Sequence, residues 1–323
     1  MTSSYDKASA VVVLPAVGAG RLADTDLRQW LARGDVSRHD APRSLLAAVL
    51  DELDQDAAAD GLAALRFWGQ TGDRAAAWMA AADPVYLEPR LDHLCLHAVP
   101  PESLTAAELR ALFDHLQASL GGASGYGFAR LGMFGYVTAP EPFATAALPA
   151  VAIDGRRPDE FLPAGEAGAG YRRLLSEIEM ALHEHPVNLE RQADGRLPVN
   201  SLWLWGGGVS PAAETRPMPP LFGDDPLLRG HWLRHTGLAE SWPGSMAACA
   251  EASVAGFVAV APPDDIDGAA TLLRELRELL QRGRLPRIVF LTRDGIRVEL
   301  RRAHGLRVWR RRHPLLDAPE AAS

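Results

Sequence analysis

SVAGFVAVAPPDDIDGAATLLRELRELLQRGRLPRIVFLT, residues 253–292, reads as a strand, a helix and a strand. Its two ends (253–261 and 287–292) are short apolar runs without polar alternation, the pattern of strands buried on both faces. Between them Leu, Ala and charged residues recur with helical spacing over 268–282, and Asp267 stands where a helix cap belongs. A third run of the same kind, AVVVL at 10–14, lies at the opposite end of the chain. Strand, helix and strand at one end and a matching strand at the other imply an α/β sheet assembled from both chain ends. The middle is then a separate α+β unit. The expected division is 1–78 and 206–323 for the two parts of the α/β domain and 79–205 for the central one.

Short helices are expected over 26–34 and 42–54, the second with Leu45, Leu46, Val49 and Leu53 on one stripe. The alanine-rich stretch 61–82 reads as helix interrupted by Gly69 and Gly72, and 82–89 as a loop. In the strand 93–99, His93, Cys95 and His97 alternate with Leu94, Leu96 and Ala98. Thr105 and Glu108 have capping-box spacing, opening a helix that Gly121 closes. FARLGMFGYVTA (128–139) suggests strand broken by glycines, and 154–168 a connecting loop. Leu174, Ile178 and Leu182 mark a helix from about 170 to 185, ended by Pro186. A strand over 199–208, an extended proline-rich segment and a basic hairpin at 296–312 complete the reading.

The chain has 323 residues and a net charge of −8, which argues against a chain-wide nucleic-acid footprint. Its basic charge is nearly all arginine, Lys7 being the single lysine. Cys95 and Cys249 match no zinc spacing within the sequence and read as reduced, buried thiols, in keeping with a cytoplasmic location. No apolar run approaches the roughly 20 residues that span a bilayer. The start KASAVVVLPAVGAG imitates a signal peptide, but its short apolar stretch, with Pro15 inside, reads better as the first buried strand. Gly18, Gly20 and Ala23 fit the loose dinucleotide pattern, without the acidic residue at the end of a second strand that such a site requires.

The densest cluster of specific residues is LHEHPVNLERQADGRLPVNSLWLWGGGVSP, 182–211. His183 and His185 are two apart, which on a helix sets them about 200° apart and argues against a shared metal. His185 reads as a ring packed on the core that fixes the next turn. Asn188 and Asn200 read as braces of a turn or as ligand contacts. Arg191 either joins that brace or presents its fork to a carboxylate or phosphate. Trp203 and Trp205 share one side of a strand, as core or as an aromatic wall over a ligand. Gly206, Gly207 and Gly208 offer either unobstructed N–H groups for an anion or a turn with positive φ.

This cluster resembles a stretch of the archaeal-type cofactor-independent phosphoglycerate mutases: a His-Pro-x-Asn-x-x-Arg run, then Gly-x-x-Pro-Ala-Asn, then Trp-x-Trp-Gly-x-Gly. It is closer still to the related bacterial branch called regulatory protein RpfE type, which WMAAADPVYLEPRLDHLCL (78–96) also resembles through Asp83-Pro84-Val85 and Leu87. The resemblance implies the alkaline-phosphatase superfamily fold, with the central unit as its substrate-type domain. It also implies chemistry built on two divalent metals, carboxylate and histidine ligands and a phosphoryl-carrying serine. Here the departures begin. Where the family has an Asp after its first strand, this chain has Leu14-Pro15. Ser37 and Ser44 lie in contexts unlike the nucleophile's. Asp264, Asp265 and Asp267 remain of a later acidic run without its histidine, and Asp294-Gly295 stands in place of an Asp-His.

The expectation is therefore a regulatory or binding protein derived from a mutase, with no cofactor. Its ligand would be a phosphorylated or carboxylated metabolite at Arg191 and the glycine turn. One rival is an active mutase or phosphatase using Asp264, Asp265, Asp267 and Asp294 with manganese or zinc. The other is an interaction scaffold that meets an acidic protein partner at the basic hairpin, whose stretch Arg297–Arg312 holds seven arginines.

Overall fold

The structure, a computed structural model, describes residues 9–39, 41–122, 125–253, 255–263 and 266–317. Two sheets organise it. The first has seven strands in the order β2-β12-β11-β1-β10-β8-β9. Their ranges are β1 (Ser9–Leu14), β2 (Asp35–Arg38), β8 (Leu221–Phe222), β9 (Ala239–Glu240), β10 (Gly256–Val260), β11 (Arg287–Thr292) and β12 (Ile296–Arg301). At its centre β1 lies between β10 and β11, parallel to both, so the sheet is made from both chain ends as the sequence implied. All six residues of β1 are buried because helices cover both faces of the sheet, which is what its unalternating valines require. β12 returns antiparallel beside β11, and β2 pairs with its outer edge.

The second sheet holds β3 (Met79–Pro89), β4 (Leu94–Ala98), β5 (Gly127–Leu131), β6 (Phe134–Thr138) and β7 (Ser201–Gly208). It is antiparallel, and β3 is its hub, pairing with β4, β6 and β7. The structure corrects two sequence expectations here. Helix α3 (Leu62–Thr71) stops where Gly72 takes a left-handed φ of 81°, and Ala80, Ala81 and Ala82 belong to β3. The stretch 82–89 is strand, not loop. Ala80, Ala81 and Ala82 are fully buried in the sheet, where small side chains admit packing from both faces.

Three helical layers enclose and separate the sheets. On one side of the first sheet, α1 (Thr25–Ala32), α8 (Met246–Ala252) and α9 (Ile266–Gln281) cover Ala10, Val12, Phe257 and Phe290. Between the sheets, α2 (Leu45–Asp51), α3 and α7 (Pro226–Arg234) meet Val11, Val13 and Val258 from one sheet and Ala81, Val85, Trp203 and Trp205 from the other. On the far side of the second sheet lie α4 (Ala106–Leu120) and α5 (Ala167–Leu182), against Ala82, Val137 and Leu204. α4 begins with the Thr105–Glu108 capping box read from sequence.

Helix α5 ends at Leu182, and Pro186 does not terminate it. Pro186 is instead the first residue of α6 (Pro186–Ala193), where its missing N–H costs no hydrogen bond and its fixed φ suits a helix start. Gly69 does not interrupt α3; it lets α7 approach. A Cβ on Gly69 would stand 1.9 Å from the Pro226 carbonyl oxygen, and one on Gly230 would stand 1.7 Å from that of Leu65. The two glycines make a backbone-to-backbone helix crossing that no larger residue permits.

Candidate functional site

The polar side chains of 183–208 that the sequence singles out are, His183 apart, bonded within the protein. His183 caps the end of α5 and is exposed, while His185 is the N-cap of α6 and is buried. His185 Nδ1 accepts the Val187 N–H at 3.3 Å, and its ring meets that of His115 edge-on at 4.9 Å. Burial, then the neighbouring His115, lowers its pKa, so the neutral ring needed for capping is favoured. Asn188 Nδ2 donates to the carbonyls of Leu182 and Val199, and its Oδ1 accepts the Val199 N–H at 2.8 Å. Asn200 bonds Leu87 of β3 in both directions, as a strand residue would.

Arg191 is 1% exposed. Its Nε donates to the Leu197 carbonyl at 2.7 Å and its Nη1 to the Ser103 carbonyl at 2.9 Å, with Glu108 at 3.4 Å. The fork read from sequence as an anion clamp thus clamps the loop before α4. Trp203 donates to the Leu148 carbonyl and packs on Tyr171. The glycine run behaves likewise: the Gly206 N–H bonds the Ala146 carbonyl, the Gly207 N–H the Thr145 hydroxyl, and Gly208 pairs with Met79. Gly206 lies inside β7 with a φ of 62°, where the β3–β7 register shifts, so that irregularity of the strand favours glycine. The polar groups expected to face a ligand face the protein.

Sequence reading missed the node behind Trp205. Arg66 of α3 is 4% exposed and donates to Asp83 at 2.7 Å and to the Gly135 carbonyl at 2.7 Å. Asp83 also accepts the Trp205 indole N–H at 2.6 Å. The guanidinium lies over the rings of Tyr136, Phe134 and Trp205 at 4.7 to 5.4 Å. Burial opposes its charge, and Asp83 with Tyr136 more than offsets that. The available signal was one arginine in the otherwise apolar run LAALRFW.

Ligands of parallel α/β sheets gather at the carboxyl ends of the strands. At that edge β1 ends on buried Leu14 and Pro15. The next turn is covered by the C-terminal segment, with the Ala19 and Gly20 N–H groups on the carbonyls of Leu315 and Leu316. Beyond β11, Asp294 accepts the Gly18 N–H at 2.8 Å through Oδ2 and the Thr292 hydroxyl at 2.5 Å through Oδ1. Beyond β8, Asp225 caps α7 through Leu227 and Leu228. A two-metal centre needs convergent carboxylate and imidazole donors. The side chains described here do not fit one: Leu14 and Pro15 offer no donor, and Asp294 and Asp225 hold backbone. Asp264 and Asp265 fall outside the described residues. Asp267 lies in the first turn of α9, rather than before it as a cap, and its side chain is outside the description too.

No protein-family sequence profile matches the chain. Among curated proteins it is similar to the 2,3-bisphosphoglycerate-independent phosphoglycerate mutase of Methanosarcina acetivorans, 41% identical over 63 residues. That match covers 20% of this chain and 16% of the relative. The Methanosarcina barkeri enzyme of the same name is 31% identical over 110 residues, 33% of this chain and 28% of the relative. The chain is related to phosphoglycerate mutases. The matches span less than a third of these relatives' length. Two solved structures are similar across most of the chain at low identity. The cofactor-independent phosphoglycerate mutase of Thermoplasma acidophilum has 18% identity, covers 91% of this chain and 90% of its own, and gives a TM-score of 0.43. The PH0037 protein of Pyrococcus horikoshii has 14% identity, covers 91% and 86%, and gives 0.44.

The basic stretch beyond β11 is not the hairpin expected. β12 pairs on both edges, with β11 and β2, and a 3-10 turn (Arg302–Leu306) follows it. Several arginines are already paired. Arg297 binds Glu52 and Glu299, Arg301 binds Glu299, and Arg307 and Arg310 both reach Asp35. Arg302, Arg311 and Arg312 are exposed, and beside them in the chain Leu306, Val308 and Trp309 are 76%, 57% and 72% exposed. Among the described residues no helix is long and apolar enough to cross a membrane.

Proposed function

We propose that this chain is a regulatory binding protein derived from a cofactor-independent phosphoglycerate mutase, of the RpfE type, and that it does not carry out metal-dependent phosphoryl transfer. The observation that carries the reading is the Asp294–Gly18 bond beside Leu14-Pro15. The one described acid that the family resemblance aligns with a metal ligand is used to close the strand ends. Because Arg191 and the glycine run are spent internally, binding is assigned to residues 302–312. There an exposed tryptophan lies in one segment with Arg302, Arg311 and Arg312, which make no ion pair among the described residues, and Trp and Arg are the types that dominate protein–protein hot spots. The fitting partner is an acidic protein segment, by charge complementarity.

The test has two arms. Purified chain is assayed for interconversion of 3- and 2-phosphoglycerate with manganese and with zinc; the expected rate is that of the buffer. Turnover abolished by Asp294→Ala overturns the non-catalytic reading. Separately, a labelled polyglutamate peptide is titrated by fluorescence anisotropy. Binding is expected to weaken with salt, and to fall at least tenfold in Trp309→Ala and in the triple variant Arg302→Ala, Arg311→Ala, Arg312→Ala. Binding unchanged in both variants, or none at low salt, overturns the docking surface.

A further inference from the structure

Strand pairing assembles a donor set that chain spacing conceals. β3 and β4 are antiparallel, with Glu88 directly opposite Cys95 and Tyr86 opposite His97. Cys95 and His97 are two apart on one strand, so their side chains and that of Glu88 leave the same face of the sheet. One ligand atom from each, the carboxylate oxygen, the thiol sulfur and an imidazole nitrogen, all lie within 4.8 Å of one another. Among the described residues this is the only such group of three His, Cys, Asp or Glu side chains.

We propose that Glu88, Cys95 and His97 form a binding site for one divalent transition-metal ion, with zinc the best fit. Tetrahedral zinc with sulfur, nitrogen and oxygen ligands at about 2.0–2.3 Å sets its donors roughly 3.3–3.8 Å apart. The contraction required is about an ångström, and two of the three side chains are free to make it. Glu88 and His97 are about 30% exposed, while Cys95 is buried and fixed on its strand. His97 Nε2 already lies 2.7 Å from Glu88 Oε2, which shows that the two heads converge. Arg90 holds the same carboxylate at 2.7 Å, and the Tyr86 ring stacks beside His97 at 6.1 Å. Such outer partners orient ligands before the ion arrives. The chemistry selects the ion. A thiolate and an imidazole favour zinc, cobalt or copper over magnesium and calcium, which prefer oxygen alone. Binding displaces the Cys95 thiol proton to solvent, and the imidazole offers the ion a bare ring nitrogen, so the proton it shares with Glu88 moves to the other ring nitrogen or, from a charged ring, to solvent. Three protein donors leave the fourth position of a tetrahedral ion to water on the exposed side.

The site is separate from the strand ends of the first sheet, so its test is independent of the mutase question. Full-length chain is stripped with chelator and titrated with cobalt. The expected result is one cobalt per chain with a near-ultraviolet thiolate-to-cobalt band, displaced by zinc. Cys95→Ser should abolish the band, and His97→Gln and Glu88→Gln should each weaken binding at least tenfold. Cys249→Ser and Asp294→Ala should leave both unchanged. Circular dichroism confirms the fold of each variant, and the two half-exposed positions serve if Cys95→Ser is unstable. A missing thiolate band, or binding indifferent to His97→Gln and Glu88→Gln, overturns the site.

Discussion

Asp294 and Gly18 are 276 residues apart in sequence and joined by a 2.8 Å hydrogen bond from the Gly18 N–H to the Asp294 carboxylate. The contact binds the turn after the first strand to the turn after the eleventh, and it leaves no room on Gly18. A Cβ there would stand 2.6 Å from Asp294 Oδ2, 2.5 Å from Ile296 Cδ1 and 2.9 Å from the Leu315 carbonyl oxygen. The strand-end edge, where ligands of parallel α/β sheets gather, is here filled by a side-chain-to-backbone tie.

Both partners of that tie should therefore matter for stability. Gly18→Ala forces overpacking, which costs about 1–3 kcal/mol. Asp294→Ala leaves a part-buried N–H unpaired, at a cost of about 1–3 kcal/mol. Because each change disrupts the same contact, the double variant should lose less than the sum of the two. Urea unfolding measures all three. A wild-type midpoint for Asp294→Ala would mean that the carboxylate is free for another task.

The crossing of α3 and α7 makes a sharper contrast between glycines. Gly69→Ala and Gly230→Ala each drive a Cβ into a backbone carbonyl within 2 Å, and both are expected to lose about 3 kcal/mol or more, at the upper end of overpacking costs. Gly170 lies in α5 with nothing within 4 Å of its Cβ position. Gly170→Ala should be neutral or gain up to about 1 kcal/mol from helix propensity. Thermal unfolding of the three variants decides it. Equal effects at Gly69 and Gly170 would contradict the close crossing.

Gly69 also shows where sequence reading reached its limit. Period and composition placed β1, β10, β11, α4 and the sheet made from both ends, because each of those segments declares its burial through its own side chains. Gly69 is explained by α7, some 160 residues away (roughly, by chain count), and no local pattern carries that. β3 was misread for a related reason. Its alanines favour helix on propensity, and only the pairing with β4, β6 and β7 makes them strand. The candidate site followed the same rule. The motif at 183–208 was visible as residue types, but the direction of Arg191 was set by Ser103 and Glu108, which lie on another element. Cys95 and His97 were visible on one strand, and Glu88 joined them only through register.

Asp83 offers a test of the buried node. It neutralises Arg66 and accepts the Trp205 indole N–H at once. Asp83→Ala leaves a buried cation without its carboxylate and is expected to cost about 3–5 kcal/mol, the usual penalty for breaking a buried pair from one side. Asp83→Asn keeps one acceptor but loses the charge, and should fall between wild type and Ala. Tryptophan emission should shift in both, because Trp205 loses its charged acceptor. Arg66→Met with Asp83→Leu, which removes both charges, should recover part of the loss. If the double variant is no better than Asp83→Ala, the cost lies in packing and not in the stranded charge.

Two groups, buried His231 and half-buried Glu299, make stability fall with acid in different windows. His231 of α7 is fully buried, and neither ring nitrogen has a hydrogen-bond partner. Burial, then His235, Arg234 and Arg216, push its pKa down from 6.5 to about 3. The unfolded chain takes up that proton first, so stability is complete above pH 6.5 and is lost as pH falls toward 3, by up to roughly 4 kcal/mol. Glu299 is opposed by burial but held by Arg287, Arg301 and Arg297, which bring it from 4.5 to about 2. Its contribution is present above pH 4.5 and lost as pH falls toward 2, by up to roughly 3 kcal/mol. Denaturation followed across pH 7 to 3 separates them. His231→Leu should flatten the slope between pH 6.5 and 5, where Glu299 does not titrate, and Glu299→Gln should lower stability at pH 7 while leaving that slope intact. A slope between pH 6.5 and 5 that survives His231→Leu would move its origin to the other histidines whose pKa burial lowers: His185, His235 and His313.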